Sequence, residues 1–234
     1  MLFGISLKLV GMMTHPIQEA FDRQNLFIAD AGHELKTPIA VIQANAYVLE
    51  NEQGHSRWLS YIKTEAIRKD GLVNDLMFLT SMERISKYDE VVELSSIVEG
   101  AALPFEALAF EKRMSLDADI RTSVVVKGNS FQLEKLVSIF LSNAVKYGEE
   151  GVRIQVSLCG RHKMATINVR NTGIGIQECD KERIFERFYR VDKARSRSDG
   201  SYGLGLAMAK EIADIHKAKL SVESGYGSWI EFFI

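Results

Sequence analysis

From about Thr14 to Glu50, apolar and small residues recur in steps of three and four: Phe27, Ala31, Leu35, Ile39, Ile42, Ala46 and Leu49. That period draws one stripe along a long helix. The polar stretch Asn51-Glu-Gln-Gly-His-Ser56 interrupts it, and Gly54 within it is a helix breaker. A second helical stripe follows through Leu59, Ile62, Ala66, Val73, Leu76 and Leu79. Two such helices joined by a short polar turn predict an antiparallel hairpin. A lone hairpin cannot cover its apolar seam on both sides, and pairing with a second copy into a four-helix bundle is the economical way to do so. Packing of both helices on the chain's other domain is the alternative.

Residues 86–90 form a polar break that reads as a linker, and beyond it the texture changes. Short strand-like runs at 90–94, 123–127, 152–158, 165–170, 219–223 and 229–234 alternate with helical stretches at 95–112, 130–147 and 204–216. Strands and helices distributed in this way predict a two-layer α/β sandwich. The expected organisation is an α+β chain with a helical lead-in over residues 1–20, a helical domain over 21–85 and a sandwich domain over 90–234.

Composition narrows the picture only a little. Twenty-nine Lys and Arg against 31 Asp and Glu leave a net charge of -2, which gives no electrostatic basis for nucleic-acid binding. The two cysteines, Cys159 and Cys179, are far apart and outside any CxxC spacing, so neither a zinc site nor a disulfide is expected. Met1 to Met13 is apolar apart from Ser6 and Lys8. That run is shorter than the ~20 residues a membrane span needs. It reads either as the cytoplasmic end of a membrane helix or as the start of a long helix, in a chain expected to work in the cytoplasm.

Five segments carry candidate chemistry. In Phe27-Ile-Ala-Asp-Ala-Gly-His-Glu-Leu-Lys-Thr-Pro38, His33 and Thr37 lie four apart on one helix face, with Glu34 beside them. A neutral imidazole is a competent nucleophile, and a neighbouring carboxylate can hold one ring proton while the other nitrogen attacks. Pro38 removes an N–H and crowds the carbonyl of Glu34, which is expected to loosen the helix there. In Ser142-Asn-Ala-Val-Lys-Tyr147, Asn143 and Lys146 project an amide and an ammonium to one side of a helix end. That pair suits a Mg²⁺ ion and a phosphate, although a Lys at a helix C-terminus also serves the dipole.

The third segment, Val169-Arg-Asn-Thr-Gly-Ile-Gly-Ile176, follows a strand. Gly173 and Gly175 permit close backbone approach to a ligand, and Asn171 offers an amide to a base edge. The fourth, Ile184-Phe-Glu-Arg-Phe-Tyr-Arg190, precedes a polar stretch at 192–200 and places Arg187 and Arg190 where guanidinium groups reach phosphate. Aromatic anchors beside a polar stretch suggest a lid. The fifth, Gly200-Ser-Tyr-Gly-Leu-Gly-Leu206, opens a helix, and glycines there expose free N–H groups and the positive dipole end to a phosphate.

The order and spacing of these segments resemble the two-component sensor histidine kinases, over nearly the whole chain from about Pro16 to Ile234. HELKTP resembles that family's phosphoacceptor box, NAVKY its asparagine box, NTGIGI its first glycine box, IFERFYR its phenylalanine box and GSYGLGLA its second glycine box. The resemblance implies a dimeric four-helix bundle followed by an ATP-binding domain of the histidine kinase, gyrase and heat-shock chaperone type. It implies ATP and Mg²⁺ as cofactors, a homodimer, and a response regulator that receives phosphate on an Asp. It implies a cytoplasmic portion of a protein anchored in the bacterial inner membrane.

By position, the resemblance makes His33 the phosphate acceptor and Glu34 the base that orients it. Thr37 would position water for removing phosphate from the regulator. Asn143 would bind Mg²⁺, Lys146, Arg187 and Arg190 would hold phosphates, Tyr147 would line the pocket, and Asn171 would face adenine. Gly173 and Gly175 would shape the base pocket, and Gly203, Leu204 and Gly205 would cradle the triphosphate. Two positions depart from the family's pattern: Asn171 stands where Asp is usual, and Ile139 where a second Asn is common. A degenerate kinase acting as a nucleotide-binding scaffold and an ATP-driven clamp are the competing classes, and the phosphoacceptor segment argues against the second.

Overall fold

The computed structural model describes residues 28, 30–82, 90–161, 164–191 and 202–234. The lead-in over 1–20, Phe27, the linker positions 86–89 and the polar stretch 192–200 lie outside the described residues. The chain divides between Arg84 and Ile85 into two compact units.

The first unit contains two long helices, α1 over 30–53 and α2 over Arg57–Met82. They run antiparallel. Gly32 near the start of α1 lies against Met77 near the end of α2, while Glu50 at the end of α1 binds Lys63 near the start of α2. Ile39, Ala66 and Val73 form the seam between them, with Met77 packed against it. Helix α1 continues through Pro38 as helix, so the expected loosening does not break the element.

The turn is built from local chemistry. Gly54 adopts φ +81° and its N–H returns to the Glu50 carbonyl at 2.9 Å, the left-handed stop that glycine makes without a Cβ penalty. The hydroxyl of Ser56 accepts from the Trp58 N–H at 3.3 Å, capping the start of α2. Glu50 then accepts from the ammonium of Lys63 and pairs with His55 Nδ1 at 3.0 Å.

The second unit is a sandwich. One layer is a five-stranded sheet of β2 (Ser115–Ile120), β4 (Arg153–Arg161), β5 (Met164–Thr172), β7 (Trp229–Phe233) and β6 (Ser221–Gly225), in that spatial order. Strand β2 runs parallel to β4, and the remaining neighbours pair antiparallel. The other layer holds α3 (Leu94–Glu111), α4 (Ser130–Tyr147) and α5 (Gly205–Ile215). Strands β1 (Val91–Glu93) and β3 (Val125–Lys127) form a separate antiparallel pair.

Helix α4 is the centre of the core. Asn129 caps its N-terminus by accepting from the Gln132 N–H at 3.0 Å. Leu133, Leu136, Val137, Phe140, Leu141 and Ala144 are buried at helical spacing, and burying a side chain of the larger kinds stabilises by about 1.5–3 kcal/mol. From the sheet, alternate residues Ile154, Val156 and Leu158 of β4 and Ile167 and Val169 of β5 face inward. Phe140 stacks on Phe232 of β7 with ring centroids 5.1 Å apart.

Strand β2 is absent from the sequence-based expectation. It lies at the sheet edge, and its burial pattern has no alternation, with Leu116 and Ile120 half-buried among exposed positions. The run Ser115-Leu-Asp-Ala-Asp-Ile120 does alternate polar and apolar positions, but Asp117, Ala118 and Asp119 are residue types that strands disfavour. Among the described residues, no helix is long and apolar enough to cross a membrane.

Candidate functional site

The reactive candidates of the hairpin sit on the outer face of α1. Gly32 is buried, and a Cβ there would come within 2.6 Å of Met77 Cγ. The helix turn that directs Gly32 at α2 therefore directs the next residue away from it. His33, Glu34 and Thr37 are all exposed. An accessible imidazole on a rigid helix is open to an incoming group, and Thr37 stands one turn further along the same face.

In the sandwich, the predicted residues gather along one edge of the helical layer. The last turn of α4 carries Asn143, Lys146 and Tyr147. Asn143 is half-buried, and its Nδ2 is sealed from solvent without a hydrogen-bond acceptor among the described residues. The Lys146 ammonium lies 5.3 Å from the Tyr147 ring centroid, and Tyr147 itself is half exposed to solvent.

The end of β5 meets this turn. Asn171 is the last inward-facing residue of the strand and is 4% exposed. Its Nδ2 donates to the Thr172 carbonyl at 3.0 Å. Gly173 has φ +151°, and a Cβ there would lie 3.5 Å from Asn171 Nδ2 and 3.6 Å from the Tyr147 carbonyl oxygen. The glycine thus marks where the strand end, the amide and α4 converge. Gly175 has another task. A Cβ on it would lie 2.6 Å from Ser224 Oγ and 2.8 Å from the Gly225 carbonyl, so its lack of a side chain lets the turn pack onto β6.

The third contribution comes from 184–190 and the start of α5. Residues Arg183–Phe185 form a short 3-10 turn, not a full helix. Arg187 is exposed and Arg190 half-buried. The Phe188 N–H donates to the Gly203 carbonyl at 2.9 Å, and Gly203, at φ +72°, leaves no space for a Cβ, which would fall 2.6 Å from the Tyr189 carbonyl. Leu204 is buried, and a Cβ on Gly205 at the first turn of α5 would lie 3.4 Å from Ile139 Cγ2. Ile139 is one helical turn before Asn143 on α4, so it serves as the apolar packing partner of the glycine segment.

One polar group near this edge escaped sequence reasoning. The Tyr189 hydroxyl donates to Asp180 Oδ1 at 2.6 Å, and Arg183 lies over the Tyr189 ring at 4.3 Å. The hydrogen bond to Asp180, and then burial, raise the phenol above its ordinary value. No local signal links positions nine apart across two irregular turns.

Residues 128–234 match the family described as histidine kinase-, DNA gyrase B- and HSP90-like ATPase, and residues 23–85 match the His Kinase A (phospho-acceptor) domain. The chain is 36% identical over 234 residues to the sensor histidine kinase RppB of a Synechocystis species, covering 97% of this chain and 52% of that protein. It is 32% identical to the sensor histidine kinase YkoH of Bacillus subtilis, covering 96% of this chain and 49% of the relative. The chain therefore spans about half the length of the curated relatives it matches. Among solved structures, full-length ShkA in complex with AMPPNP aligns with a TM-score of 0.73 at 20% identity, covering 88% of this chain and 44% of that one. The Acinetobacter baumannii histidine kinase AdeS aligns with a TM-score of 0.61 at 20% identity, covering 86% of this chain and 96% of that one. Both are likenesses of fold.

Proposed function

The chain belongs to the two-component sensor histidine kinases, and from that premise we propose that it transfers the γ-phosphoryl group of ATP to its own His33. Residues 21–85 act as the dimerisation and phosphotransfer domain and 90–234 as the ATP-binding domain. The carrying observation is the convergence of the α4 end, the Asn171–Gly173 turn and the Gly203–Gly205 segment on one edge, with the Asn143 amide donor left without an acceptor among the described residues.

A polyphosphate fits that edge. A phosphate oxygen would give Asn143 Nδ2 the acceptor it lacks among the described residues, and Oδ1 of the same amide is a hard oxygen donor suited to Mg²⁺. That ion takes few protein ligands and keeps substrate phosphates in its shell. Held there, Mg²⁺ would neutralise charge on the substrate phosphates. Lys146 and Arg190, with Arg187, add positive charge for the same oxygens. The N-terminal turn of α5 offers N–H groups at Gly205, and Tyr147 and Asn171 flank the base.

In the transfer, a nitrogen of His33 bonds to the γ-phosphorus as the bridging P–O bond breaks and ADP leaves. Glu34 orients the imidazole through the proton on its other nitrogen. Positioning and charge neutralisation carry most of the rate. The phosphoryl group then passes to an Asp of a response regulator. Thr37 serves the reverse demand by holding a water against the phosphorylated regulator. Thr37→Ala is expected to keep autophosphorylation and slow regulator dephosphorylation, and equal loss of both would contradict that role. The exposed apolar side chains of the hairpin support a homodimer.

The test is incubation with γ-labelled ATP and Mg²⁺. The chain takes up label, and Asn143→Ala lowers uptake at least tenfold while leaving the fold intact by circular dichroism. Unlabelled wild-type protein that still binds ATP would favour the scaffold reading.

A further inference from the structure

Lys112 falls outside the five segments that carry candidate chemistry, yet it joins two helix ends behind the proposed nucleotide edge. Its backbone N–H closes α3 on the Leu108 and Ala109 carbonyls at 3.4 and 3.0 Å. Its ammonium reaches across to α4 and donates to the Val145 carbonyl at 3.0 Å. Val145 belongs to the last turn of α4, whose carbonyls have no intrahelical donor. One residue thus closes the C-terminal end of α3 with its backbone N–H and sets its ammonium against the partial negative charge of the α4 C-terminus.

The turn held in this way is the one that carries Asn143, Lys146 and Tyr147. The neighbouring Ala144 carbonyl accepts from the Gly148 N–H at 3.0 Å, and Val145 is left to Lys112. Asn143 has no acceptor of its own for Nδ2 among the described residues, so side-chain hydrogen bonding at that nitrogen does not orient it. Its aim depends on the helix turn beneath it. A helix end without a cap frays, and fraying here moves the amide, the ammonium and the Tyr147 carbonyl that abuts Gly173.

We propose that Lys112 is a positioning residue for nucleotide binding, holding the last turn of α4 in register through the Val145 carbonyl without touching the nucleotide itself. The inference rests on the proposed function, since it assigns that turn to ATP.

The experiment is calorimetric titration of the whole chain with a non-hydrolysable ATP analogue and Mg²⁺, well below the melting temperature. Lys112→Met keeps the aliphatic stem and removes the ammonium. Its dissociation constant is expected to rise about threefold to tenfold, and Lys112→Arg is expected to restore it to within about twofold. Arg113→Met is the control. It removes the adjacent cation, whose guanidinium pairs with Glu150 at 2.7 Å on the exposed surface, and is expected to bind as wild type. Wild-type affinity in Lys112→Met, even with a lowered melting temperature, would reduce the contact to a stability cap and overturn the proposal. So would equal weakening by Arg113→Met, which would mark a general charge effect. A wild-type chain that binds no nucleotide would instead sink the proposed function.

Discussion

At the scale of single residues, Asn171 is the most informative departure from the family's usual pattern. The sequence allowed its amide both to accept from an adenine amino group and to donate to a ring nitrogen. The Thr172 carbonyl takes one of the two Nδ2 hydrogens, which leaves the oxygen and the second hydrogen to offer to a base. Asn171 then imitates the acceptor of a carboxylate without its charge. Asn171→Asp gains a charge-assisted bond, on the order of 1 kcal/mol, but sets an oxygen against Thr172. ATP binding is therefore expected to stay similar or tighten by no more than several-fold in calorimetry, with little change in the phosphorylation rate. Binding seen in the Asp variant alone would contradict an active site built around Asn. Conformation at this scale was partly legible: a glycine followed by another two residues on announces a tight turn. That Gly173 faces Asn171 and the Tyr147 carbonyl while Gly175 packs on Ser224 was not, because only the returning strands β6 and β7 distinguish them.

At the scale of elements, the hairpin turn has a testable pH signature. Hydrogen bonds from Lys63 and then His55 hold the Glu50 carboxyl below its ordinary value of 4.5, and the bond to Glu50 pushes Lys63 above its ordinary 10.5. A carboxyl depressed on folding stabilises at pH above its unfolded value, and that contribution disappears as pH falls through the folded value. An ammonium raised on folding contributes below 10.5 and loses it as pH rises through its higher folded value. The melting-temperature difference between wild type and Glu50→Gln should thus be level at neutral pH and shrink below about pH 4.5. A constant difference down to pH 2 would contradict the pairing. Helices α3, α4 and α5 were readable from their apolar spacing because each buries one face. Strand β2 was not read, although Ser115-Leu-Asp-Ala-Asp-Ile120 alternates polar and apolar residues, because its short run is carried by Asp117, Ala118 and Asp119, which strands disfavour.

At the scale of the whole molecule, the hairpin exposes an apolar surface that includes Leu35, Ile42, Tyr61 and Ile62. With Ile39 and Ala66, the last three of these line a shallow groove. A second copy covers such a surface in a four-helix bundle. Ile42→Glu with Ile62→Glu is expected to convert a dimer to monomers in sedimentation velocity and to leave the sandwich folded. A wild-type monomer at micromolar concentration would contradict the bundle. Phosphorylation of His33 by this chain's own ATP-binding domain is tested most directly by mapping the label from γ-labelled ATP. One acid-labile, base-stable phosphoramidate on His33 is expected, absent from His33→Gln. Acid-labile label that persists in His33→Gln, or acid-stable label on a hydroxyl residue, would contradict it.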